Sequence, residues 1–283
     1  MLENESSDID LSEYLNKLEK LQNYLDFGID VSEVCAGQKG VDWHLVRANQ
    51  LYIRLTVSCL SYIRLLPYNR HFPADYEFWD LFSILSISRN IIETYIMFWY
   101  IAVDGISQEE RKLRLDILMY HLNNEKYKLY RDFNADSEYL HEFEAKLPQK
   151  KQDFTDSEIF TRYVEKSRRK NILNGKEAKY LSNIEIMNKM PSRTEEFVPL
   201  YRLFSNHTHS MPFAFFSLDN QRGSGRRNQA EIHYIEISLE FVTKYLLCAI
   251  VDTITLFPFC EAKLDPGKLK IIREEYIKYS QNL

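Results

Sequence analysis

The stretch LFSILSISRNIIETYIMFWYIAV, residues 81–103, decides the fold, because it reads either as a membrane span or as a helix at the centre of a globular body. Its length suits a bilayer. Arg89 and Glu93 interrupt it near the middle, and a central charge costs about 2.5–3.5 kcal/mol on insertion scales. A second near-span, ISLEFVTKYLLCAIVDTITLF at 237–257, carries Glu240, Lys244 and Asp252. Both therefore read as helices buried in a globular core.

The composition agrees with that choice. With 8 glycines and 8 prolines in 283 residues, 45% hydrophobic and 27% charged, the chain favours long helices over turn-rich sheets. The fold class is all-α, a multi-helix bundle, read as one domain over 1–283. The net charge of −5 excludes an overall basic coat and leaves room for a local basic patch. Cys35, Cys59, Cys248 and Cys260 form no C-x-x-C pair and have no histidine at zinc spacing, so they read as reduced, buried and inert, with no metal and no cofactor. The acidic start MLENESSDID lacks the layout of a signal peptide, which points to a cytoplasmic location and no membrane partner.

Outward from the core segments, helix punctuation is frequent. Leu11, Tyr14, Leu15, Leu18, Leu21 and Leu25 form one apolar stripe on an amphipathic helix at about 10–26, which docks on the body or on a second chain. A helix over 41–66 ends at Pro67, and the next spans about 76–103. Ser107 and Glu110 form a capping box, and Thr155 with Glu158 a second whose helix closes at Asn174-Gly175. A short helix lies around 180–189. Pro199 opens the helix over 199–211 and Pro212 stops it; DNQRGSGRRNQAE, 219–231, is a loop before a helix of about 228–257. Asp265-Pro266 opens a last helix near 266–281. About nine helices are expected.

The chemistry-bearing stretch is YRLFSNHTHSMP, 201–212. At 100° per residue, Arg202 and His209 fall within about 20° of each other with Ser205 and Asn206 on the same side, while His207 is about 140° from Arg202. A phosphate-sized anion fits between Arg202 and His209. This pattern resembles the R-x(4–6)-H motif of the HEPN superfamily of all-α proteins, and both Arg202-x4-His207 and Arg202-x6-His209 match it. Tyr201-Arg202-x-x-Ser205-x-x-x-His209, with Arg89-x-x-x-Glu93 upstream, also resembles an uncharacterised bacterial family of about this length, over residues 80–257. One HEPN variant has tyrosine two residues after the motif histidine. Here His209 holds that place after His207.

The HEPN resemblance implies metal-independent cleavage of RNA by 2′-hydroxyl attack, in toxin–antitoxin or anti-phage systems, at a site where two subunits meet. Arg202, Ser205, Asn206, His207 and His209 are then the catalytic candidates, Arg89 and Glu93 a supporting pair, and a cognate antitoxin or defence protein a further partner. Histidine suits proton transfer and arginine suits phosphorane charge. A homodimer would supply the second protonic group that one helix lacks. The alternative for Arg202 and His209 is a hydrogen bond across a helix interface, and for Arg89 and Glu93 a structural salt bridge. Arg114 and His121 repeat the seven-residue spacing without the polar residues between, which measures how easily it arises by chance. Arg162, Lys166, Arg168, Arg169 and Lys170, with Arg226 and Arg227 of the glycine-rich loop, are RNA-backbone candidates or else solvated surface. The rival function is a non-catalytic helical module that binds a partner protein or a nucleotide.

Overall fold

The computed structural model describes residues 9–37, 42–74, 76–133, 137–191, 195–209, 211–216 and 223–281, and every regular element among them is helical. Twelve α-helices follow in order: α1 Ser12–Cys35, α2 Trp43–Leu65, α3 Leu81–Phe98, α4 Gln108–Asp132, α5 Ser137–Asp156, α6 Glu158–Tyr163, α7 Lys166–Leu173, α8 Asn183–Lys189, α9 Phe197–Thr208, α10 Pro212–Phe216, α11 Gln229–Leu256 and α12 Pro266–Gln281. A π-helical turn, Trp99–Val103, continues α3, and a 3₁₀ turn, Pro258–Lys263, joins α11 to α12. The chain divides into two compact units, Met1–Val103 with Met187–Leu283, and Asp104–Ile186.

The first unit is organised around α11. Residues 241–250 are buried at ten consecutive positions, Lys244 among them, so this part of α11 is enclosed on all sides. α1, α2 and α3 pack against it, so the N-terminal amphipathic helix belongs to this core. Gly28 lets α1 approach closely: an added Cβ would lie 3.3 Å from both Ile250 Cδ1 and the Tyr52 hydroxyl, which donates 2.9 Å to the Gly28 carbonyl. α3 with its π turn is the one described helix long and apolar enough to cross a membrane. Ile84, Leu85, Ile91, Ile92 and Phe98 are buried, and its neighbours are α2, α9 and α11. A buried hydroxyl relay crosses this contact: Tyr62 to Ser238 at 2.8 Å, Ser238 to Ser88 at 2.6 Å, Ser88 to the Ile84 carbonyl at 2.7 Å. Because a carbonyl only accepts, Ser88 spends its proton on Ile84, so Ser238 donates to Ser88 and Tyr62 to Ser238.

In the second unit Ser107 caps α4, accepting from the Glu110 amide at 3.1 Å, but the Glu110 carboxylate turns to Arg114 instead of closing the box. The expected cap at Thr155 is corrected by the structure. Thr155 lies inside α5, its hydroxyl on the Lys151 carbonyl, and Ser157 caps α6 by accepting from Phe160 N at 3.2 Å. The single helix expected from there to Asn174 is broken at Val164, whose backbone is extended. Arg169 stabilises the break, donating 2.9 Å to the Val164 carbonyl and 2.6 Å to the Thr161 carbonyl, groups a helix end leaves unsatisfied. Gly175, at φ 64°, closes α7 in a Schellman arrangement, with Gly175 N on Ile172 O and Lys176 N on Asn171 O. The break at Val164, the separate helix α5 and the separate helix α10 after Thr208 give twelve helices where about nine were expected.

Candidate functional site

α9 is held to the core by Phe197 and Phe204, which meet Phe241 of α11 at centroid distances of 6.4 and 5.9 Å. It ends at Thr208, three residues before the expected stop, for a local reason. Ser205, Asn206, His207 and Thr208 each bond back to the carbonyl four residues earlier, at 2.7–2.9 Å. Such back-bonding competes with the helical ladder and favours termination. Pro212 opens α10 instead of stopping α9.

The polar run therefore divides. Ser205 and Asn206 serve their own helix. His207 is buried, its Nδ1 proton on the Leu203 carbonyl at 2.9 Å and its ring 5.6 Å from Phe82. His209 is the C-cap of α9 with φ −100° and ψ 10°, is exposed, and reaches α3. Its Nε2 lies 2.7 Å from Arg89 Nη1. Arginine only donates, so Nε2 accepts and Nδ1 carries the ring proton in this arrangement. The expected partnership of His209 with Arg202 is replaced by one with Arg89. Arg202 is exposed, and its guanidinium makes no hydrogen bond or ion pair among the described residues.

Arg89 is the hub of the cluster. Its Nε donates 3.1 Å to Glu93 Oε1, Nη2 lies 3.5 Å from the Tyr201 hydroxyl, and the guanidinium sits over the Tyr201 ring at 5.2 Å, in cation–π range. The Tyr201 hydroxyl donates to the same Glu93 oxygen. Burial pulls the Arg89 pKa down, but Glu93 and Tyr201 outweigh it and hold the guanidinium above its ordinary value. The result is a fixed cation beside an exposed imidazole, with an aromatic ring beneath and a carboxylate 38% exposed at the side. That set can bind an anion, move a proton through His209 and stabilise developing negative charge. Tyr201 was not among the sequence candidates. Its spacing of four to Ser205 and eight to His209 was the signal that could have placed it there.

Arg114 provides a comparison. It too is paired with a glutamate one helical turn away, Glu110 at 2.7 Å, stacks on a tyrosine, Tyr180 at 5.7 Å, and that tyrosine donates to the glutamate. Arg114 is 2% exposed and also bonds Asp104 at 2.7 Å, and His121 is occupied with the Gly175 carbonyl at 3.0 Å. The same Arg–Glu–Tyr unit is thus built twice, once closed and once open with a histidine at its mouth. Among the basic candidates, Arg168 is committed to the Tyr180 carbonyl and Glu185, Arg169 to the α6 terminus, Arg162 to Glu109 at 3.2 Å and Arg227 to Glu77 at 2.6 Å. Lys166, Lys170 and Arg226 are exposed, with no such partner among the described residues.

The fold and this cluster define an all-helical protein with an open arginine–glutamate–tyrosine–histidine centre. The chain belongs to the family of unknown function DUF5677, whose model matches residues 47–225, a span that contains all four of those side chains. No curated protein and no solved structure matches it.

Proposed function

We propose that the protein is a metal-independent endoribonuclease whose centre is Arg89, Glu93, Tyr201 and His209. The observation that carries the reading is the exposed imidazole of His209 with its Nε2 2.7 Å from the Arg89 guanidinium, a donor that faces it. When a phosphodiester enters, Arg89 transfers that donor to a non-bridging phosphate oxygen. His209 Nε2 is then released to take the proton of the attacking 2′-hydroxyl, while the guanidinium stabilises the phosphorane. Glu93 and the Tyr201 ring hold Arg89 in place during the exchange. A protonated group for the leaving oxygen is supplied by a second copy of the chain in a homodimer of twice 33.8 kDa. Exposed Arg202, Lys166, Lys170 and Arg226 bind backbone phosphates. The setting that fits this chemistry is a cytoplasmic toxin or anti-phage effector with a cognate partner protein.

The test is incubation of the full-length protein with mixed RNA, with and without chelator, followed by end-group analysis. Cyclic phosphate ends that persist with chelator and vanish in Arg89→Ala and His209→Ala support the reading. Intact RNA, or cleavage unaffected by both variants, refutes it. A second reading, a binding module without catalysis, rests on the exposed side chains of Met211, Phe213 and Phe216 beside α9. Under it, those variants weaken ligand binding and no RNA is cut.

A further inference from the structure

Four cysteines are buried, and two of them meet. Cys35 is the last residue of α1, Cys260 lies in the 3₁₀ turn between α11 and α12, and their sulfur atoms are 2.6 Å apart although 225 positions separate them in sequence. Carbon atoms in optimal contact are already about 3.5–4.0 Å apart and sulfur is larger, whereas a disulfide is about 2.05 Å. The two thiols are therefore nearer bonding distance than packing distance. Cys59 and Cys248 are buried as well.

The position gives the pair a consequence. α12 has few buried anchors of its own, Leu269 and Ile272. Its polar ties to α1 are the partly buried bonds of Lys20 to Glu275 at 2.8 Å and of the Tyr24 hydroxyl to Glu275 at 3.1 Å, Lys20 over the Tyr279 ring at 5.6 Å, and the exposed pair Lys268 to Asp30 at 3.5 Å. Exposed ion pairs of this kind hold little. A cavity of about 480 Å³ runs between the two helices, lined in part by Asn16, Asn23, Phe27 and Ile271. A covalent link at Cys35–Cys260 would fix the end of α1 to the base of α12 and govern whether α12 stays seated.

We propose that Cys35 and Cys260 are a redox-responsive modification site, closed to a disulfide by a small-molecule disulfide of the glutathione class and reopened by thiols. Both sulfurs are buried, so the exchange follows local opening of the 3₁₀ turn Pro258–Lys263; the uncovered Cys260 thiol then gives its proton to solvent and its thiolate attacks one sulfur of the donor, expelling one thiolate, which is protonated. Cys35 then loses its proton, attacks the Cys260 sulfur of the mixed disulfide and expels the second thiolate. Two protein thiols are oxidised and one donor disulfide is reduced to two thiols. Cys260 is the first nucleophile because exposed Lys263 in the same turn opposes the upward push that burial gives its thiol, and Cys35 has no such cation. In a reducing compartment such a bond is transient, which makes it a signal instead of a permanent brace.

The test uses full-length protein exposed to oxidised glutathione without denaturant, quenched in acid, then alkylated in denaturant. The expected product lacks two hydrogens, yields a linked Cys35–Cys260 peptide, and carries alkyl groups on Cys59 and Cys248. Amide exchange of α12 should slow by about tenfold or more in the oxidised form and recover on reduction. Alkylation of all four cysteines after oxidation, a glutathione adduct that never resolves, or a link through another pair would overturn the assignment. So would unchanged α12 exchange in a protein shown to carry the bond. The wild-type comparison needs no variant, and Cys260→Ser, where it folds, should lose the oxidant-dependent change in α12.

Discussion

The hydroxyl relay behind Arg89 makes a prediction that depends on its direction. Tyr62, Ser238 and Ser88 are completely buried, and one proton order satisfies them all. Tyr62→Phe removes the first donor and leaves Ser238 still donating, so the loss is one ordinary hydrogen bond, about 0.5–1.5 kcal/mol. Ser88→Ala is worse. Ser238 can then give its proton only toward Tyr62, so one buried O–H is stranded at about 1–3 kcal/mol. Trp43, Trp79 and Trp99 all lie in the first unit, so tryptophan fluorescence during urea unfolding reports this unit alone. Ser88→Ala should lower the midpoint more than Tyr62→Phe at equal slope. An equal or larger loss from Tyr62→Phe would refute the proton order.

The remaining predictions concern separate parts of the chain. Arg89→Ala and His209→Ala should each lower cleavage of RNA by about 10²–10⁴, and His207→Ala should lower thermal stability with little effect on rate per folded molecule, measured by initial rates and melting curves. Asp252 is partly exposed, but its carboxyl is enclosed beside Tyr95, which donates at 2.8 Å, and burial pushes its pKa up to about 7. A carboxyl whose folded value lies above its unfolded one stabilises below about pH 4 and loses that contribution as pH rises through about 7. Asp252→Asn should therefore gain on wild type between pH 5 and pH 8 by on the order of 2–4 kcal/mol, and parallel stability profiles would contradict it. Gly175→Ala places a Cβ at positive φ against the Asn124 side chain and should destabilise the second unit by about 1–3 kcal/mol, visible by circular dichroism and silent in tryptophan fluorescence.

The helices were legible where local rules act alone. Pro67 after α2, the Ser107 cap, the Gly175 terminus and the Asp265-Pro266 start all follow from one or two residues. Misreadings arose where a side chain serves a neighbouring turn in place of the role its motif suggests. Glu110 leaves its capping box because buried Arg114 needs it, and α6 ends at Val164 because Arg169 can satisfy the carbonyls there. The site was half legible. Arg89, Glu93 and His209 stand out as polar residues on apolar helices, but the face argument assumed that α9 continued through His209. The back-bonding of Ser205 to Thr208 ends it first, and turns His209 from Arg202 toward α3. The approach of Cys35 to Cys260 across 225 residues has no local signature at all.

The division of the first unit has a consequence for how the chain is made. Asp104–Ile186 interrupts it, and α11, on which α1, α2 and α3 rest, begins only at Gln229. A ribosome adding about 5–20 residues per second needs roughly 8–30 s to pass from the end of the α3 segment to the end of α11. Through most of that interval the 81–103 segment has only α2 of the three helices that will cover it, without α9 and α11, although it has the length and hydropathy of a membrane span. Arg89 and Glu93 then act before any ligand is present, as two charges that discourage the nascent segment from entering a bilayer while it waits for its partner helix.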